Sequence, residues 1–223
     1  MEQEKILQLQ QGLTTAFMNQ AISSNLAYRP QFISNNYREG RKVFSSIENE
    51  LLSCEEFSIS VAFITMGGIT PLLQTLRELE CRGIPGRILT TDYLMFSDPK
   101  ALRIFANFKN IELKMFVTEN AKEGFHTKGY IFKKKEIYRM IVGSSNMTLS
   151  ALTKNREWNT KIVSTDQGEY AQNLVSEFEQ LWNAEESLSF EQFIESYTKL
   201  YTKNKLIKKQ RETARQEEIP SLE

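Results

Sequence analysis

Residues 57–92 read "FSISVAFITMGGITPLLQTLRELECRGIPGRILTTD". The order of patterns in this stretch decides the fold class. "FSISVAFI", 57–64, is uncharged, apolar and rich in β-forming residues, the composition of a buried strand. "TMGG" breaks it. "ITPLLQTLRELECRG" predicts a helix, with Pro71 in the first turn, where no backbone N–H is required, and Gly83 just past the end. "GRILTTD", 86–92, predicts a second strand.

The same alternation continues downstream. "SDPKALRIFANF" opens a helix with Ser97 or Asp98 as N-cap and Pro99 in the first turn. "IELKMFV", 111–117, predicts a third strand. Strand, helix, strand, helix, strand implies an α/β fold with a mixed, mostly parallel sheet flanked by helices on both faces. Upstream, "GRKVFSSIENELLSC" predicts an amphipathic helix with Val43, Ile47, Leu51 and Leu52 inward. "YRPQFISNN" is extended or turning at Pro30. Residues 1–26 predict a polar N-terminal helix with one apolar stripe: Ile6, Leu9, Leu13, Phe17 and Ala21.

After residue 117 the pattern changes. "FHTKGYIF" and "IYRMIVG", separated by "KKKE", predict a hairpin with a charged turn. "WNTKIVST", 158–165, predicts another strand, and "QGEYAQNLVSEFEQLW" a helix. The domain expected from this order spans 27–185. Residues 186–223 predict a helix that becomes a charged linker to a further domain, with few apolar anchors after Ile207.

Lys plus Arg and Asp plus Glu both number 28, so a chain that coats nucleic acid by charge alone is excluded, while a local basic site is not. Cys54 and Cys81 lack metal or redox spacing, and the polar start is unlike a signal peptide. Both predict a reducing cytoplasm. No apolar run approaches the ~20 residues that cross a bilayer, so no membrane partner is expected. No P-loop sequence occurs, so the chain carries no ATPase of its own.

His126 is the only histidine in 223 residues. On a strand, His126 and Lys128 share a face, which suits an anionic group, and Gly129 leaves room for close approach. A solvated edge-strand pair is the plain alternative. "IVGSSN" follows the second hairpin strand. Gly143 permits a tight turn, and Ser144, Ser145 and Asn146 supply short donors and acceptors, as in a ligand loop or an ordinary turn with a helix cap. Glu157 enters the next strand and is a carboxylate that can orient a histidine. Lys133 and Lys134 in the hairpin turn are candidate phosphate contacts. Arg29, Arg38, Arg41 and Lys42 form a second basic group.

"HTK…GSSN…E" resembles the H-x-K and G-S-x-N signature of the phospholipase D, or HKD, superfamily. The stretch from "FISNNYREGRKVF" to "GSSNMTLSALTKNREWN" is similar to the phospholipase-D-like nuclease domain at the N-terminus of bacterial DEAD/DEAH-box helicases. The similarity covers about residues 27–185. The family signature carries an aspartate five residues after the lysine, where this chain has Lys133.

The resemblance implies a phospholipase D-like fold with one HKD motif per chain. It also implies a metal-independent phosphodiesterase without cofactor that acts on DNA through a phosphohistidine. His126 would be the nucleophile. Lys128 and Asn146 would stabilise the phosphoryl oxygens, and Ser144 and Ser145 would hold the phosphate or the loop. Glu157 would fix the tautomer of His126. The reaction needs a second imidazole to protonate the leaving oxygen. With one per chain, a twofold homodimer that brings two copies of His126 together is expected. The alternative is a nucleic-acid-binding module that keeps the fold without turnover.

Overall fold

The computed structural model describes residues 29–217 apart from 37, 41 and 120, with side chains as far as Gln210. The helix expected over 1–26 lies outside the described residues. The chain runs β1 (Gln31–Ile33), α1 (Val43–Ser53), β2 (Glu56–Val61) and α2 (Met66–Ile69), then through a 3-10 turn at Thr70–Leu72 into α3 (Leu73–Cys81). It continues with β3 (Gly86–Thr91), a 3-10 turn at Tyr93–Met95, α4 (Pro99–Ala106) and β4 (Ile111–Phe116). Then come β5 (Lys128–Lys134), β6 (Ile137–Gly143), α5 (Leu149–Thr153), β7 (Asn159–Thr165), α6 (Glu169–Asn183), β8 (Ser187–Ser189) and α7 (Phe190–Glu217).

One eight-stranded sheet has the order β1-β7-β6-β5-β2-β3-β4-β8. The α/β fold is as expected, but the sheet is mostly antiparallel. Only β2–β3 and β3–β4 are parallel. The remaining neighbours run antiparallel. The reason is the connections. A helix crosses over after β2 and after β3, which returns the chain in the same direction. After β4 the chain enters β5 through a loop and lies beside β2 head to tail. β5 and β6 form a hairpin, and the short α5 returns the chain to pair β7 with β6.

Alternation along the strands makes two cores. Phe57, Ile59, Ile88, Tyr130, Phe132 and Ile141 pack on one face beneath α1, α3, α4 and the start of α7. Leu89, Ile131 and Met140 pack on the other face with Phe178 and Trp182 of α6. Ser58 and Ser60 alternate with the apolar residues of β2 and are also buried, so that strand is enclosed on both sides. At α4 the structure selects Asp98 as N-cap, its carboxylate accepting from the Lys100 N–H at 2.9 Å.

The C-terminal segment forms the helix expected over its first part and continues it. α7 is a continuous helix of 28 residues, and Lys208 near its far end places Nζ 4.4 Å from the ring centroid of Phe96. Tyr197 anchors the helix through a 2.8 Å hydrogen bond from its hydroxyl to the Ser97 carbonyl. Among the described residues, no helix is long and apolar enough to cross a membrane.

Candidate active site

The C-terminal ends of β2, β3 and β6 and the N-terminal ends of β5 and β7 meet at one end of the sheet. His126 lies two residues before β5 begins, in an extended segment outside the strand. Thr127 ties that segment to β2 through a hydrogen bond between its hydroxyl and that of Ser60. Phe125 anchors it below, stacked on Phe116 with centroids 5.5 Å apart. The imidazole stays exposed and meets Phe63 and Tyr93 edge to face, each at 6.1 Å.

Lys128 reaches back onto His126. Its Nζ lies 2.5 Å from Nδ1, 3.1 Å from Nε2 and 2.8 Å from the His126 carbonyl oxygen. The ammonium lies against the ring, close to both nitrogens at once, and its charge disfavours a protonated imidazole. The pKa of His126 is lowered from its ordinary value, first by partial burial and then by the Lys128 charge. Lys128 is also lowered by burial, opposed by the negative charge of Glu157. The site therefore sets an imidazole whose neutral form is favoured beside a cation.

The loop after β6 is laced to β2. The Met147 N–H donates to the Phe63 carbonyl, and the Thr65 N–H donates to the Met147 carbonyl, each at 3.0 Å. Asn146 Oδ1 accepts from the Phe63 N–H at 3.1 Å. That bond orients the amide, because a backbone N–H requires the oxygen. The Asn146 NH₂ group is then uncommitted among the described residues and available to a phosphoryl oxygen.

Gly143 makes the loop possible. A Cβ there would lie 2.2 Å from the Trp158 carbonyl oxygen and 2.6 Å from the Asn159 Cα. At Gly129, by contrast, a Cβ would meet nothing within 4 Å. Gly129, His126 and Lys128 line an open cavity of about 310 Å³ whose far wall includes Leu174 and Leu181 of α6.

Other sequence candidates take different places. The Ser144 hydroxyl donates to the Glu157 carboxylate and accepts from the Trp158 N–H at 3.1 Å. It therefore positions the loop and has no hydrogen left for a phosphate. Glu157 bonds Ser144, and no hydrogen bond or ion pair joins it to His126 among the described residues. Ser145 is fully buried. Its Oγ accepts from the Asn159 amide at 2.9 Å, and its carbonyl accepts from the Tyr130 hydroxyl at 3.0 Å. Burial, followed by the Glu157 charge, raises the Tyr130 pKa and keeps it a neutral donor.

Lys133 and Lys134 lie at the opposite end of β5, some five residues or about 17 Å from Lys128 at strand spacing. The structure does not bring them to His126. Lys133 sits over the Tyr138 ring at 5.5 Å. Arg139 faces α1 instead and pairs with Glu50 at 3.7 Å.

Two positioning residues escape a sequence reading. Asn159 is 2% exposed and bonds both the backbone and the hydroxyl of Ser145. Thr127 holds the His126 segment through its hydroxyl bond to Ser60 of β2. At the aromatic rim, Tyr93 is half-exposed beside the imidazole and Phe96 is half-exposed behind Phe63, whereas Tyr130 and Phe125 are core. Leu94 and Met95 hold the rim in left-handed backbone, with φ of 55° and 51°. Among the described residues, no group of three or more His, Cys, Asp or Glu side chains is placed to hold a metal ion.

The fold is similar to that of NucT from Helicobacter pylori, with a TM-score of 0.56 and 18% identity over 73% of this chain and 99% of that one. Nuc from Salmonella typhimurium, described as a phospholipase D family member, gives the same four values. Phosphatidylserine synthase from Haemophilus influenzae Rd KW20 aligns with a TM-score of 0.55 and 14% identity over 83% of this chain and 46% of that one. Curated protein sequences give no significant match. Residues 48–182 match the sequence profile of the family described as "Cardiolipin synthase, PLD-like domain". That match takes in more than half of the chain, and the chain belongs to the phospholipase D-like family.

Proposed function

We propose that this protein is a metal-independent phosphodiesterase that cleaves DNA through a phosphohistidine, and that the catalytic unit is residues 27–185 in a homodimer. The observation that carries the reading is the neutral, exposed His126 imidazole with Lys128 on its ring and the donor end of Asn146 free on the adjacent loop. The nuclease similarity of the sequence, the phospholipase D-like family and the fold shared with Nuc and NucT support it.

In the first step the lone pair of a His126 ring nitrogen attacks phosphorus, a P–N bond forms and the P–O bond to the leaving group breaks. His126 of the partner subunit, protonated, gives its proton to the leaving oxygen. Water then attacks the phosphohistidine, its proton passes to the now neutral His126 of the partner subunit, and the P–N bond breaks. One phosphate monoester is released and both rings return to their starting states. Lys128 moves from the ring to the phosphate, where it and Asn146 donate to the oxygens on which charge develops. Ser144, bound to Glu157, holds the loop that carries Asn146.

The association with a helicase rests on the similarity of residues 27–185 to helicase-linked nuclease domains. Cleavage of single-stranded and plasmid DNA in EDTA tests the activity. Wild type cleaves and forms an acid-labile phosphoprotein, and His126→Ala does neither. Equal residual cleavage by both chains contradicts the proposal. Salt-dependent binding without cleavage by either favours the binding-module alternative.

A further inference from the structure

Beyond the hairpin whose lysines lie far from His126, the structure offers a different basic surface. A cavity of about 610 Å³ is lined by Ser34, Asn36, Arg38, Lys154, Arg156 and Trp158 among others, and by no carboxylate among the described residues. Its volume is in the range of ligand pockets, roughly 300–1,000 Å³. None of its three cations makes an ion pair among the described residues. Its wall is pinned in place. The Asn35 amide donates to the carbonyls of Ala151 at 2.8 Å and Asn155 at 2.7 Å, and its Oδ1 accepts from the Val43 N–H at 2.9 Å.

Trp158 is 73% exposed and meets Phe32, 63% exposed, edge to face at 6.1 Å. Two large aromatic rings presented to water beside three uncompensated cations match the two faces of a nucleotide strand, stacking bases and anionic phosphates. The cavity adjoins the loop that carries Asn146. The Trp158 N–H donates to Ser144 Oγ, and Glu157, between Arg156 and Trp158, accepts from the same hydroxyl. On its other side a second cavity, of about 700 Å³, shares Ser34 and Asn36 and includes Phe32 and Lys42, with Glu39 as its one carboxylate.

We infer that this surface is the strand-binding track of the protein: Arg38, Lys154 and Arg156 hold successive phosphates of a single-stranded nucleic acid, and a base stacks on Trp158. The inference rests on the proposed function for the direction of the track, since it leads the strand toward His126. It does not require turnover. A duplex would hide its base faces from Trp158, so the track selects single strands.

The test uses the full chain carrying His126→Ala, which holds substrate without cleaving it, and a fluorescein-labelled single-stranded oligodeoxynucleotide. The chain has two tryptophans, and Trp182 is 5% exposed and stacked on Phe178, so quenching of tryptophan emission reports Trp158. Binding is expected to quench that emission, and Trp158→Ala is expected to weaken affinity about tenfold, the effect of losing one base–aromatic stack. Arg156→Ala should reduce the slope of log affinity against log salt by about 0.7, one phosphate on a single strand.

Unchanged affinity in Trp158→Ala together with no quenching overturns the inference, even if wild type cleaves DNA. Quenching and salt dependence in a wild type that never cleaves support it and contradict the proposed activity. A Trp158→Ala chain that loses its dimer while it keeps oligonucleotide affinity assigns the aromatic pair to a subunit contact and overturns the inference as well.

Discussion

The chemistry rests on the charge state of one imidazole. Partial burial and the Lys128 ammonium both disfavour the charged ring, so its pKa falls below the ordinary value near 6.5. At neutral pH His126 is then mostly the neutral form, which the proposed reaction needs for attack, and protonation on going below its pKa removes that form. With a single histidine in the chain, the imidazole C–H resonances can be followed by NMR without assignment. The midpoint is expected below 6.5 in wild type and higher, though not fully restored, in Lys128→Ala, because burial is the larger cause. A wild-type midpoint at or above 6.5 would contradict the environment described for the ring. His126, Lys128 and Asn146 were legible from motif spacing, since each is aimed by local backbone. The burial of Ser145 was not, because it follows from Asn159 and Tyr130 closing over it from other strands. The partner of Glu157 was not legible either, since the choice between Ser144 and His126 depends on where the loop after β6 falls.

At the scale of elements, the loop after β6 is the joint between the two halves of the site. Its close approach to the start of β7 requires a residue without Cβ at Gly143. Gly143→Ala forces the Trp158 backbone away and is expected to cost about 1–3 kcal/mol, in the manner of an overpacked core site. A urea titration reads this as a lower midpoint at unchanged slope. A change within 0.5 kcal/mol, typical of neutral surface substitutions, would contradict the packing. The βαβ alternation over 57–117 was legible because helix and strand periods differ along the chain. The antiparallel majority was not, because direction is set by the connection after β4 and not by strand composition. β1 and β8, with three residues each, carry no periodic signal of their own. They exist because they extend the sheet edges beside β7 and β4.

At the scale of the whole molecule, the fold gathers imidazole, cation and amide at one end of the central strands but supplies a single imidazole. The proposed reaction needs two, one to attack and one to carry the proton, and symmetry supplies the second only if two copies meet at that end. In the proposed dimer two equivalent rings would titrate as a coupled pair, and a bell-shaped pH–rate profile would belong to the pair. The measurement that tests this most directly is DNA cleavage in EDTA by wild-type and His126→Ala chains, equilibrated together at known ratios and constant total concentration. A site built from both copies requires activity to fall as the square of the wild-type fraction, because a mixed dimer holds one histidine and is inactive. A linear fall, or no cleavage at any ratio, would contradict the account.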